Sequence, residues 1–423
     1  MKLKNYFSTN YIFAAGCFLL AVGIPSDGFL RTFENIGLML ILCASFLNYK
    51  QFKWENLFLP VNRLLILLFF LCLFGYFYTD NIHELSRKSA LKVLLALFAF
   101  AFSFSPKITD HVKRLTFLIF IVATASIATL SCIDYFIHFK EYNLLVQQSK
   151  PIPIIGGTMH IYFSLMMAWS VFLGIHLLNV NFKLVMNTML DKIVFSALVV
   201  NVIALHVLSA RTGLAAFYIV FVVLLFRYSI KKRRFKTLVG GLFMLLLFPL
   251  LMYLIVPSVK NRVNNTYEDL HRYYSGDYVG HFSISGRFET WKVAFHVFES
   301  HPIFGVGYGD LQQNMESQYL IDNTRLMREE SLSNCHNQYI ETLAAHGLIG
   351  FFVFLALLFL MFTEVAIMPR NNYLMLAFLT LFSVAFMVES LLEREAGLML
   401  FLFFFYLIKN SAYDSEKNTS VAP

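Results

Sequence analysis

Residues 211 to 236 read Arg211-Thr-Gly-Leu-Ala-Ala-Phe-Tyr-Ile-Val-Phe-Val-Val-Leu-Leu-Phe-Arg227-Tyr-Ser-Ile-Lys231-Lys232-Arg233-Arg234-Phe-Lys236. An uninterrupted apolar run, long enough to enter hydrocarbon, stops at a dense cluster of cations. That is the grammar of a transmembrane helix whose basic end stays in the cytosol. At the other end a lone arginine sits in a five-residue connection, Ser209-Ala210-Arg211-Thr212-Gly213, between this run and the apolar run before it.

The rest of the chain repeats the pattern. Of 423 residues, 58% are hydrophobic and 14% charged, Phe occurs 47 times, and the mean hydropathy of +0.64 is far too high for a soluble surface. The net charge of +8 lies in short runs beside apolar segments, so it sets membrane topology and gives no stripe for nucleic acid. Counting apolar runs predicts an all-α bundle of about twelve spans. Residues 1–256 hold about nine of them, 257–334 form one large polar loop, 335–409 hold about three more, and 410–423 make a polar, disordered tail. Lys2 and Lys4, Lys50 and Lys53, Lys107 with Lys113 and Arg114, Lys183 with Lys192, the Arg227–Lys236 cluster, Arg370 and Lys409 fall on alternate connections. The positive-inside rule puts these and both termini in the cytosol, and the 257–334 loop outside it. The first apolar segment, Tyr11 to Ile24, ends in Ala21-Val22-Gly23, which loosely matches a signal-peptide cleavage site; retention as a first span is expected because more spans follow at once.

The five cysteines form no disulfide framework: Cys17, Cys43, Cys72 and Cys132 lie in apolar segments, and only Cys335 is expected near water. Gly305-Val-Gly307-Tyr-Gly309 follows no strand and is no nucleotide fingerprint. The histidines lack the spacing with carboxylates or thiolates that a metal site needs, so no metal and no cofactor are expected.

Three residues are expensive to place. Arg211 sits against hydrocarbon, where a guanidinium costs about 2.5–3.5 kcal/mol at mid-membrane and less near the edge. It either snorkels to lipid phosphates or meets something anionic. Arg287 follows Ser283-Ile-Ser285-Gly286 at the start of an amphipathic segment, Arg287 to Ser300, with Phe288, Trp291, Ala294, Phe295 and Phe298 at helical spacing. A guanidinium beside helix N-terminal amides suits phosphate, whereas an exposed one would simply pair with Glu289 or another carboxylate. His336 stands in Asn334-Cys335-His336-Asn337-Gln338-Tyr339-Ile340-Glu341, where the loop re-enters the membrane, and is either a general base or an interfacial hydrogen-bonding residue. Helical spacing puts Tyr339, Ile340 and Leu343 on its face. Arg87, Lys88 and Lys92 open the fourth span on the outer side, where they snorkel or extend an anion site. Glu389, Glu393, Arg394 and Glu395 are expected to neutralise one another in a short outer turn. His160 and Tyr162 are expected in the core, with a shared cavity as the alternative.

In order and spacing, four pieces together resemble the O-antigen ligase and polymerase superfamily of bacterial surface-polysaccharide assembly. They are Leu208-Ser209-Ala210-Arg211-Thr212-Gly213, Ser285-Gly286-Arg287-Phe-Glu-Thr-Trp291, His301-Pro302 with Gly305-Val-Gly307, and His336-Asn337-Gln-Tyr339-Ile-Glu341 leading to Gly347-Leu-Ile-Gly350. The likeness covers roughly residues 195 to 365. It implies a GT-C-like polytopic glycosyltransferase of the bacterial inner membrane, working at the periplasmic face. The donor is a glycan on polyprenyl (undecaprenyl) diphosphate, and the reaction is inverting and metal-independent. In the ligase branch the acceptor is a sugar hydroxyl of the lipid A core. Membrane lipids are the surroundings, no nucleic acid is involved, and a monomer is the favoured state. The resemblance makes Arg211 and Arg287 the diphosphate ligands and His336 the base; Lys88, Lys92, Tyr339 and Asn337 are expected to add substrate contacts, while Glu341 is assigned to structure.

Two alternatives stay open at this point. A polymerase would use the same donor but a second lipid-linked unit as acceptor; one late outer loop carrying both Arg287 and His336 favours the ligase. A transporter or flippase for an anionic lipid-linked substrate would place ionisable residues at mid-membrane and show paired halves, neither of which the sequence displays.

Overall fold

The structure, a computed structural model, describes residues 2–49, 52–178, 188–277, 284–324, 334–367 and 372–410. Lys50, Lys183 and Arg370, three of the expected cytosolic cations, lie outside them, as do Ser283 and the tail from residue 411. The described residues are helical throughout, with no strand. That is what a chain must do where no water is present to satisfy backbone N–H and C=O groups.

Among the described residues, nine helices are long and apolar enough to cross a membrane. Three further helices stand where spans were expected: Ile82–Ser103 carries too many cations to qualify on composition, and Asn372–Phe386 and Glu395–Lys409 have only 15 residues each. The helix His160–Leu178 is the hub of the bundle, buried from Ile161 to Gly174. Trp169 meets Phe378 and Phe404 edge-on, and Phe378, Phe382 and Phe401 continue the same aromatic layer. At the opposite extreme, none of the 21 residues of Phe235–Ile255 is buried: one flank meets the bundle, Gly241 against Leu225 and Phe248 edge-on to His206, and the rest faces outward.

The polar stretch after Ile255 folds into three helices, Pro257–Ser275, Ile284–Ser300 and Leu311–Ile321. The second differs from expectation in its rotation. Its buried face runs Glu289, Thr290, Val293, Ala294, Val297, one position ahead of the expected aromatic stripe, and Phe295 is exposed. The cause is its neighbour: Val293, Ala294 and Val297 pack with Ala344 and Ala345 of the helix Gln338–Ile367, a flat wall that leaves the bulky rings on the flank. Cys335, expected near water, is fully buried in the same cluster.

A backbone splice ties this loop to the bundle. The helix Gln338–Ile367 breaks at Gly347, whose φ of 61° and ψ of −160° are open essentially to glycine alone. The carbonyls and amides freed by the break are taken by the segment 301–307: Val306 and Gly307 donate to the carbonyls of Ala344 and Ala345 at 3.1 and 2.8 Å, and Leu348 donates to Pro302 at 2.8 Å. The two glycine motifs of the sequence are therefore two halves of one joint. A methyl group at Gly347 would lie 2.3 Å from the Ile303 carbonyl oxygen. Gly347→Ala is expected to destabilise the fold by roughly 2–5 kcal/mol, seen as a lowered melting midpoint in detergent.

Candidate functional site

The short connection read first in the sequence ends the helix Met189–Val207 and begins the helix Arg211–Lys232. Arg211 is thus the first residue of its helix, and the cation cluster at residues 227–236 begins about 24 Å along it at 1.5 Å per residue, at the far end. Its height is fixed by close packing: Gly213 sits so near the His160–Leu178 helix that a Cβ there would come within 2.4 Å of Ser164.

Arg211, Arg287 and His336 line one cavity of about 210 Å³. Helices far apart in sequence bring them there. Arg287 lies in the first turn of Ile284–Ser300, but the helix N-terminus is not left open for a ligand as expected: Asp269, from the helix Pro257–Ser275, accepts hydrogen bonds from the Ile284 and Ser285 amides at 2.9 and 3.1 Å and from the Ser285 hydroxyl. The guanidinium itself is what Arg287 brings to the cavity. Its Nη2 is 3.8 Å from Glu389 Oε2. Burial pushes this guanidinium down from its ordinary value, and Glu389 opposes that shift.

His336 is not on the helix, as its spacing suggested, but two residues before it, with a left-handed φ of 47°. Such a backbone is costly for a non-glycine residue and persists only where its surroundings enforce it. Asn334 Oδ1 accepts the His336 amide at 3.1 Å, and the Trp291 indole donates to the His336 carbonyl at 3.4 Å. The ring then points Nδ1 at Glu389 Oε2, 3.2 Å away. A carboxylate acceptor there holds the proton on Nδ1 and leaves the lone pair on Nε2. Burial pushes the Glu389 carboxyl up, but the hydrogen bond from His336 and the charge of Arg287 outweigh it, so the group sits below the usual carboxylate range and is ionised.

Three cavity residues were missed or misjudged from sequence. Arg262 is 7% exposed and donates to the carbonyls of Ser149 and Lys150 at 3.2 and 3.1 Å. Burial, with Arg211 nearby, pushes its guanidinium down to about 10, still charged at neutral pH. Glu389 does not join a self-neutralising turn; each charge of that turn faces outward to a different element, Glu393 to Lys92 and Lys88, Glu395 to Arg31. His160, expected in the core, lines the cavity.

Three residues expected to contact substrate are occupied otherwise, and a fourth, Lys88, faces a different cavity. Asn337 caps the helix Gln338–Ile367, its Oδ1 accepting the Tyr339 and Ile340 amides at 3.0 and 3.1 Å and its Nδ2 donating to Met387. Tyr339 donates its hydroxyl to the Ser383 carbonyl. Lys92 is 3% exposed and bonds Glu393 at 2.6 Å and the Leu392 carbonyl at 2.9 Å. Glu341 is buried and accepts from the Cys335 amide and the Ser390 hydroxyl.

The cavity is therefore short of negative charge. Four guanidiniums, of Arg211, Arg262, Arg287 and Arg394, and the imidazoles of His160 and His336 face it, Glu389 is the sole carboxylate among its lining residues, and Arg211 Nη1 is buried without a hydrogen bond among the described residues. A buried donor so placed costs about 1–3 kcal/mol, more when charged, until an acceptor arrives. The arrangement is an anion site beside a base.

A family model described as O-antigen ligase matches residues 196–355. Residues 196–355 belong to the O-antigen ligase superfamily. This segment of the O-antigen ligase kind carries Arg211, Arg262, Arg287 and His336, while Lys88, Lys92, Glu389 and Arg394 lie outside it. The chain is also 25% identical over 306 residues to an uncharacterized protein of Haemophilus influenzae, covering 69% of this chain and 68% of that one. Apolar helices and the matched family model together point to a membrane protein.

Proposed function

We propose that the protein is an inner-membrane, O-antigen ligase-type glycosyltransferase. It moves a glycan from a polyprenyl diphosphate to a sugar hydroxyl of the lipid A core, with inversion and without a metal. The observation that carries this reading is the convergence of Arg211, Arg262 and Arg287 on a small cavity that also holds His336. The basic cluster at residues 227–236 marks the cytosolic end of the Arg211 helix, which supports a periplasmic site and cytosolic termini.

The donor diphosphate lies among the three guanidiniums, whose forked donors match its oxygens. The acceptor hydroxyl attacks the anomeric carbon from the opposite side as the bond to the diphosphate oxygen breaks. His336 Nε2 takes the hydroxyl proton, the lipid diphosphate leaves with the electron pair, and Glu389 balances the imidazolium that forms. Arg211 and Arg287 stabilise the charge that grows on the leaving oxygen, the task a divalent cation performs in many soluble glycosyltransferases. The polymerase alternative shares every one of these steps and differs only in the acceptor.

Proteoliposomes given lipid-diphosphate glycan and lipid A core test the reading. Glycosylated core formed without added nucleotide supports it. Product joined only to a second lipid-linked unit indicates a polymerase, and movement of unmodified lipid indicates transport. His336→Ala is expected to lower turnover by about 10²–10⁴-fold with donor binding retained. Glu389→Gln is expected to lower it less, because the imidazole remains. Unchanged turnover in His336→Ala would remove it as the base.

A further inference from the structure

A second, larger cavity of about 560 Å³ opens beside the first. Met159, Asn334 and Arg394 line both, so these three form the partition. The partition abuts the base, since Asn334 holds the His336 amide. Arg31, Arg87, Lys88 and Arg394 face the second cavity, against Glu393 and Glu395. The carboxylates do not suffice. Glu393 is shared between Lys88 at 3.4 Å and Lys92 at 2.6 Å, and Glu395 pairs with Arg31. Arg87 turns to Glu84 at 2.5 Å, and Arg394 makes no ion pair among the described residues. Leu91, Leu94 and Ala396 supply an aliphatic wall below the cations. Cations above aliphatic surface suit an amphipathic anion.

We propose that this cavity seats the acceptor and selects one bearing a phosphate on its sugars, which Arg394 grips with help from Arg87 and Lys88. The inference rests on the glycosyl-transfer reading for the word acceptor. In-line displacement favours this side: the leaving diphosphate belongs to the Arg211 cluster, so the attacking hydroxyl must come from elsewhere, and this roomy space shares three walls, Met159, Asn334 and Arg394, with the His336 cavity.

The test measures binding of lipid A core, native or phosphatase-treated, to protein in nanodiscs of zwitterionic lipid. The native protein is expected to hold the phosphorylated form about tenfold more tightly, one charge-assisted contact's worth. Arg394→Gln is expected to erase that preference while lowering affinity for polyprenyl diphosphate far less, since Arg394 only borders the Arg211 cavity. Should Arg394→Gln not fold, Arg87→Gln, whose side chain is 64% exposed, is expected to narrow the preference by about two- to fivefold. An undiminished preference in the folded Arg394→Gln protein would overturn the proposal. So would an equal loss of polyprenyl diphosphate affinity, or displacement of lipid A core by phosphatidylglycerol at matching concentrations, which would make this a headgroup site. If the native protein transfers no glycan yet shows the phosphate preference and loses it with Arg394, the subsite stands and the transfer reading falls.

Discussion

Arg211→Ala is expected to lower glycan transfer by about 10²–10³-fold and, in the same protein, to keep or raise the melting midpoint. The two halves have one cause. Arg211 Nη1 has no hydrogen-bond partner among the described residues, so removing it breaks no bond and relieves a buried charge near Arg262 and Arg287. Under the proposed chemistry, the same guanidinium is satisfied only when a diphosphate arrives, and most fully as that diphosphate leaves. Stability sacrificed for function in this way is common at binding sites. Arg287→Ala should lose a similar factor but without the gain in stability, because it removes a partner of Glu389. Initial rates in proteoliposomes, paired with melting of the same preparations, read both quantities. Near-native transfer by folded Arg211→Ala would dismiss the diphosphate role.

Glu393→Gln is expected to have the largest effect on stability, about 3–5 kcal/mol, because it strands buried cations. Glu393 accepts from Lys92 at 2.6 Å, Lys88 at 3.4 Å, the Tyr308 hydroxyl at 2.8 Å and Gln338 at 3.2 Å. These partners come from the helix Ile82–Ser103, the 301–310 segment and the helix Gln338–Ile367, so one carboxylate fastens three parts of the molecule. Burial raises the Glu393 carboxyl, yet Lys92 and Lys88 outweigh it and hold it at about 2. A folded value below the unfolded one means the contribution is complete above roughly pH 4.3 and fades as pH falls from there through about 2. The native melting midpoint should decline across that window, and the Glu393→Gln midpoint should not show this component. A Glu393→Met, Lys92→Met pair melting well above Glu393→Gln would identify the stranded charge as the cause.

Much of the site was legible because its residues are out of place in their neighbourhoods. Arg211 between apolar runs and His336 at a membrane re-entry stand out by chemistry alone. Arg262 does not: it sits in Lys260-Asn-Arg262-Val-Asn-Asn265, where one more polar residue carries no signal, and only folding reveals it as buried. Glu389 was hidden for a different cause. Four charges within seven residues invite mutual pairing on paper, but Leu391 and Leu392 bury the turn and send each carboxylate to a different helix. The rotation of Ile284–Ser300 was unreadable because aromatic residues mark an apolar stripe whether it meets protein or lipid, and the deciding partner, Ala344 and Ala345, lies some fifty residues on. Asn337 and Lys92 were overvalued because a helix cap and a buried ion pair use the same atoms as substrate binding would.

The helix Phe235–Ile255 leads through Val256 straight into Pro257–Ser275, which bears Arg262 and Asp269. Held by protein along one flank only, it is open to tilting with the thickness of the surrounding hydrocarbon. A helix tilted by the lipid and running on into the segment that bears Arg262 is a lever, with Pro249 as a weak point, so acyl-chain length should tune the protein from outside. Reconstitution across a series of chain lengths would expose that coupling, and an unvarying rate would show the lever is slack.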